Sequence, residues 1–158
     1  MLVTRDNTST GPLHGFKLCL CDFGQTKLVC EKDLVAGRKK ILNNAITARY
    51  TSPEGFGLKD RMNVVESEED MDVYFKVDVY ALSVSLFELM TQSRPWLNCG
   101  PDDIAAMVIA GSRPEWPAAI NEKLIPLKGL IEKGWEHAYR DRVSVFEMLD
   151  TVYDWTEK

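Results

Sequence analysis

VYFKVDVYALSVSLFELMT, residues 73–91, places apolar side chains on nearly every side of a helical projection: Val77, Val79, Tyr80, Ala81, Leu82, Val84, Leu86, Phe87, Leu89 and Met90. A helix apolar all round belongs inside a protein or a membrane, and Lys76, Asp78 and Glu88 exclude the membrane by breaking every long uncharged run. The stretch therefore predicts a buried central helix around which the other elements pack. Asp78 is its anomaly, because a carboxylate on such a helix needs hydrogen-bond donors.

Composition frames this reading. With 158 residues, 45% of them hydrophobic and 27% charged, the chain has the make-up of one globular domain, or one lobe of a larger one, with a real core. A net charge of −5 gives no reason to expect nucleic acid or an anionic membrane as partner. MLVTRDNTST lacks the apolar segment of a secretory signal, so a cytoplasmic location is expected. Cys19, Cys21, Cys30 and Cys99 form no metal-binding spacing and read as reduced thiols.

Outward from the helix, the order of elements follows from local signals. Leu2–Thr4 and Phe16–Cys21 read as the two strands of a short N-terminal hairpin, and the second ends at Asp22-Phe23-Gly24. Residues 25–51 show no sustained period, and loops of that length in compact domains are more often functional than merely connecting. Ser52-Pro53-Glu54 marks a helix start, with Ser52 as cap and Pro53 in the first helical position. Gly57 to Asp72, with its acidic run Glu66 to Asp72, reads as a solvated polar loop. Helical patterns follow at about 101–110, 123–135 and 143–155, with a turn-rich link over 111–117.

Taken in order, Asp22-Phe23-Gly24, Thr47-Ala48-Arg49-Tyr50-Thr51-Ser52-Pro53-Glu54, Lys76-Val77-Asp78-Val79-Tyr80 with Glu88-Leu89, Gly111-Ser112-Arg113-Pro114, and Leu130-Ile131 with Trp135 and Arg142 form a series. Each motif alone is common; their order and spacing are not. The series resembles the C-terminal lobe of eukaryotic protein kinases, most like the tyrosine-kinase-like group, from Leu2 to about Val152. The implied fold is mainly α: a kinase-like C-lobe, a partial kinase domain over 1–158, with the short hairpin and the buried central helix.

The resemblance implies roles residue by residue. Asp22 matches the aspartate that holds the magnesium bridging the ATP phosphates, and Leu2 the floor of the adenine pocket. Phe23 and Gly24 complete the motif that opens the activation segment, and Thr47, Tyr50, Thr51 and Ser52 match the part that docks substrate. Thr47 tilts specificity towards serine and threonine. Glu54 and Arg142 match the two ends of a buried ion pair, Trp135 a core residue beside it, and Asp78 the aspartate that accepts hydrogen bonds from the catalytic-loop backbone.

The chain departs from the family pattern at Ile46 and Ser83, where glycine is usual, at Ser52, where alanine is usual, and at Val143, where proline is usual. The residues carrying the base aspartate, the ATP-contacting lysine and the second metal-binding asparagine have no match here. The implied activity is transfer of the ATP γ-phosphate to protein hydroxyls, with ATP and magnesium as cofactors and a protein as substrate or partner, and no nucleic acid or membrane partner. The chain alone is expected to be inactive and to bind nucleotide weakly or not at all, because phosphoryl transfer rests on positioning and electrostatics. The alternative is a non-catalytic, kinase-derived interaction module. On either reading Asp78 is expected in an exposed notch or beside a substitute donor.

Overall fold

The computed structural model describes residues 2–5, 16–19, 47–57 and 68–156. Strands β1 (Leu2–Arg5) and β2 (Phe16–Cys19) pair antiparallel, with Leu2 opposite Cys19 and Arg5 opposite Phe16. The other described elements are helical: α1 (Pro53–Gly57), α2 (Glu68–Thr91), α3 (Pro101–Ile109), α4 (Ile125–Gly134) and α5 (Val145–Thr156), with 3-10 turns at Ala48–Tyr50, Glu122–Leu124 and Tyr139–Asp141. The described residues are mainly α, consistent with a kinase C-lobe.

Helix starts follow the local chemistry. The Ser52 hydroxyl accepts from the Gly55 amide at 3.2 Å, capping α1 ahead of Pro53. At α5, Ser144 and Glu147 cap reciprocally: the Ser144 amide donates to the Glu147 carboxylate at 2.6 Å, and the Glu147 amide donates to the Ser144 hydroxyl at 3.2 Å. Those bonds hold the Glu147 carboxyl below its ordinary pKa.

Helix α2 begins earlier than its apolar pattern. Glu68, Glu69, Asp70 and Asp72, expected in a solvated loop, lie in its first turns instead. Carboxylates near a helix N-terminus are favoured by the helix dipole, so an acidic run directly before an apolar helix extends it.

The core lies on one side of α2. Tyr80, Val84 and Phe87 meet Ile104 and Val108 of α3, Ile131 of α4 and Trp135, while Val79 meets Leu130 and Met148. Phe87, Trp116 and Trp135 form an aromatic cluster with centroids 4.8–5.7 Å apart. Cys99 is a free thiol packed against this core. Where α2 meets α4, a Cβ at Gly134 would lie 2.0 Å from the Ser83 hydroxyl oxygen, so a larger residue there would force Ser83 to shift.

The expectation of a helix buried all round is corrected by its opposite side. Phe75 is 59% exposed, Leu82 42% and Leu89 63%, and Asp78 and Ser85 between them are exposed too. These five positions follow a three-four spacing and form one stripe. They are exposed because the helices that bury Val79, Tyr80, Val84 and Phe87 all approach from the other side.

Candidate functional site

Of the residues that carry the resemblance, Thr47–Glu54 packs against α2. Tyr50 donates a hydrogen bond from its hydroxyl to the Glu88 carboxylate at 2.6 Å. Partial burial and this contact with a carboxylate both raise the Tyr50 pKa, so its hydroxyl stays protonated as the donor. The Thr51 hydroxyl donates to the Thr47 carbonyl at 3.1 Å, closing the turn. Thr51 and Ser52 are buried and Thr47 is exposed, so the segment is anchored from behind and open in front.

Arg49 ties the same segment to the loop after α2. Its guanidinium donates to the carbonyls of Pro95 and Trp96 and, at 3.4 Å, of Cys99. Trp96 sits at a φ of +55°, a left-handed conformation uncommon for a bulky residue, and the Arg49 contact holds its carbonyl in that turn. Beside this loop a cleft of about 570 Å³ is lined by Phe87, Arg94, Trp96, Met107, Arg113 and Glu115. Its charges are of both signs, so no single class of ionic ligand is selected.

The second cluster centres on Arg142, a buried guanidinium with every direction occupied. It forms an ion pair with Glu54 through both nitrogens, the Nη2 arm at 2.9 Å from Oε2. It also donates to the carbonyls of Glu136 at 2.8 Å, Lys76 at 2.9 Å and His137 at 3.2 Å. Lys76 in turn donates to the Arg142 carbonyl. Two guanidiniums lie over the Tyr80 ring, Arg142 at 5.0 Å and Arg113 at 5.1 Å from its centroid. Arg113 is held in place by its Nε donating to the Trp135 carbonyl at 2.7 Å.

Among the residues expected at a site, the structure brings together Thr47, Tyr50, Thr51, Ser52 and Glu54 on one segment, with Arg142 paired to Glu54 and Trp135 buried behind Phe87. Asp78 stands apart on the exposed stripe, and no donor among the described residues meets its carboxylate. Partial desolvation by the surrounding chain still raises its pKa above the ordinary carboxylate value. Asp22, Phe23 and Gly24 lie outside the described residues, as do residues 25–46, and for Leu2 only the strand position is described. No three acidic, histidine or cysteine side chains among the described residues group into a metal site.

The sequence reading missed Arg49 and Arg113 as ties and Glu88 as the partner of Tyr50. For Glu88 the signal was present, since a carboxylate on an otherwise apolar helix needs a donor. Arg49 and Arg113 bind backbone carbonyls, which leave no mark in a sequence.

Comparison with known proteins gives the family. Residues 14–152 match the family model of protein tyrosine and serine/threonine kinases, and the chain belongs to that family. A protein of Acanthamoeba polyphaga mimivirus named as a serine/threonine-protein kinase/receptor is 33% identical over 60% of this chain and 5% of its own length. The RGS domain-containing serine/threonine-protein kinase A of Dictyostelium discoideum is 25% identical over 84% of this chain and 10% of its own. A second mimivirus protein named as such a kinase/receptor is 30% identical over 81% of this chain and 7% of its own. The chain thus spans a tenth or less of these relatives. No helix among the described residues is long and apolar enough to cross a membrane.

Proposed function

We propose that this chain is the C-terminal-lobe part of a cytoplasmic serine/threonine kinase of the tyrosine-kinase-like group, which transfers the ATP γ-phosphate to hydroxyls of a protein substrate. The observation that carries the reading is the anchoring of Thr47–Glu54. Glu54 is locked to Arg142, Tyr50 to Glu88 and Arg49 to the loop after α2, while Thr47 faces solvent. A segment fixed from behind and open in front is what a protein substrate needs if its hydroxyl is to be positioned, and positioning is most of phosphoryl-transfer catalysis.

In this reading Asp22 holds magnesium, which neutralises charge on the ATP phosphates, and Leu2 lines the adenine site. Phe23 and Gly24 set the start of the activation segment. The exposed stripe on α2 supports the assignment to part of a domain: Phe75, Leu82 and Leu89 would be covered, and Asp78 given donors, by the remainder of a catalytic domain. Alone, the chain is inactive and binds nucleotide weakly. The second reading, a kinase-derived interaction module, is favoured by the same exposed apolar surface.

The test is to read the transcript upstream of Met1 and express what it encodes joined to the chain. A glycine-rich loop, a lysine strand and a catalytic loop should precede it, and the extended protein should label a serine/threonine peptide from radiolabelled ATP. Asp22→Asn should abolish labelling. Untranslated sequence directly before Met1, or labelling unaffected by Asp22→Asn, overturns the kinase reading.

A further inference from the structure

Helix α5 carries a second apolar row on the side away from the core. Met148 and Val152 face inward, whereas Phe146, Leu149 and Tyr153 follow one another at three- and four-residue steps and are each between 63% and 75% exposed. An isolated exposed apolar residue is ordinary, but an unbroken row of Phe, Leu and Tyr over two turns of helix marks a contact surface. Aromatic side chains of this kind are the usual anchors of interfaces.

The charges beside the row favour a basic partner. Asp150 and Asp154 are exposed and lie next to it on the helical projection, and Val145–Thr156 contains no Lys or Arg. The remaining carboxylate, Glu147, is committed to capping Ser144, with Lys76 and Lys133 acting on it. An anionic membrane is opposed by these acids, since helices that lie on such surfaces are rich in Lys and Arg. A second copy would bring the same carboxylates and the same net charge of −5 to the contact.

We infer that Phe146, Leu149 and Tyr153 form the docking surface for an amphipathic, basic helical segment of a partner protein. The partner's apolar side covers the row, and its Lys or Arg side chains lie over Asp150 and Asp154. The recognition is helix against helix, with anchors at three- and four-residue spacing and charge fixing the orientation. It requires nothing of the kinase chemistry.

The test uses the full chain and a fluorescein-labelled helical peptide of about four turns, with Leu along one side and Lys along the adjoining flank. Anisotropy should show saturable binding that weakens roughly tenfold or more in Leu149→Ser. The double variant Asp150→Asn, Asp154→Asn should also weaken it and flatten its salt dependence, and replacing the peptide's Lys by Gln should have the same effect. All these positions are exposed, so an unchanged melting temperature shows that the variants are folded. No saturable binding of the peptide to the wild type, or wild-type affinity in Leu149→Ser, overturns the proposal. So does self-association that disappears in Leu149→Ser, which assigns the row to a second copy, or equal adsorption of wild type and Leu149→Ser to phosphatidylserine vesicles with no binding of the peptide.

Discussion

The two sides of helix α2 are built from the same kinds of residue and have opposite fates. On one, Val79, Tyr80, Val84 and Phe87 are almost wholly removed from water; on the other, Phe75, Leu82 and Leu89 face it. Composition does not separate them, and neither does helical periodicity. What separates them is supply: α3, α4 and α5 all approach the first side. Polar groups obey the same division. Arg142 at the edge of the packed side has acceptors in every direction, while Asp78 on the open side has no donor among the described residues.

If the packed side carries the stability, the largest loss should come from cutting its ion pair. Glu54→Ala leaves the buried Arg142 charge facing no carboxylate, which costs roughly 3 to 5 kcal/mol. At a few degrees per kcal/mol, the melting temperature should fall by about 10 °C in a circular-dichroism melt. A shift of a degree or less would mean that the pair does not hold Thr47–Glu54 to the helices. Next in size is Gly134→Ala, whose methyl group would meet the Ser83 hydroxyl. Overpacking of this kind costs about 1 to 3 kcal/mol. Ser83→Gly in the same chain should return part of that loss by making room, and a double-mutant cycle showing strict additivity would place the clash elsewhere.

This contrast also explains which features were legible beforehand. The Ser52-Pro53 helix start, the span of α3 and the likeness to a kinase lobe rest on local signals, and the structure has α1, α3 and a mainly helical lobe where those signals place them. The start of α2 at Glu68 was hidden because an acidic run serves a helix N-terminus as well as a loop. The exposed stripe was hidden for another reason. Whether an apolar residue is buried depends on what lies across from it, and the pattern of one helix carries no record of that.

Asp78 supplies a smaller, pH-dependent test on the open side. Partial desolvation raises its pKa in the folded chain above the unfolded value, so the folded state binds the proton more tightly there. Its contribution to stability is therefore present below the unfolded carboxylate pKa and is lost as pH rises through the folded one. Asp78→Asn should raise the melting temperature slightly at pH 7 and leave it unchanged in acid, where the wild-type group is already neutral. A variant less stable than wild type at pH 7 would show that the ionised carboxylate has partners and that this side of α2 is not open.

The smallest effect should come from Leu89→Ser. A leucine buried like Val84 loses several kcal/mol when truncated to a small residue, but Leu89 is 63% exposed and has little burial to lose. The change should lie within about 0.5 kcal/mol of wild type, as for surface substitutions generally. Removing an apolar group from the stripe should at the same time reduce adhesion between molecules, read as less light scattering at high concentration. The two readouts separate the possibilities: a large drop in melting temperature would mean that Leu89 is packed and the stripe is core. Unchanged stability with less scattering would mark the stripe as a surface, sticky only while nothing covers it.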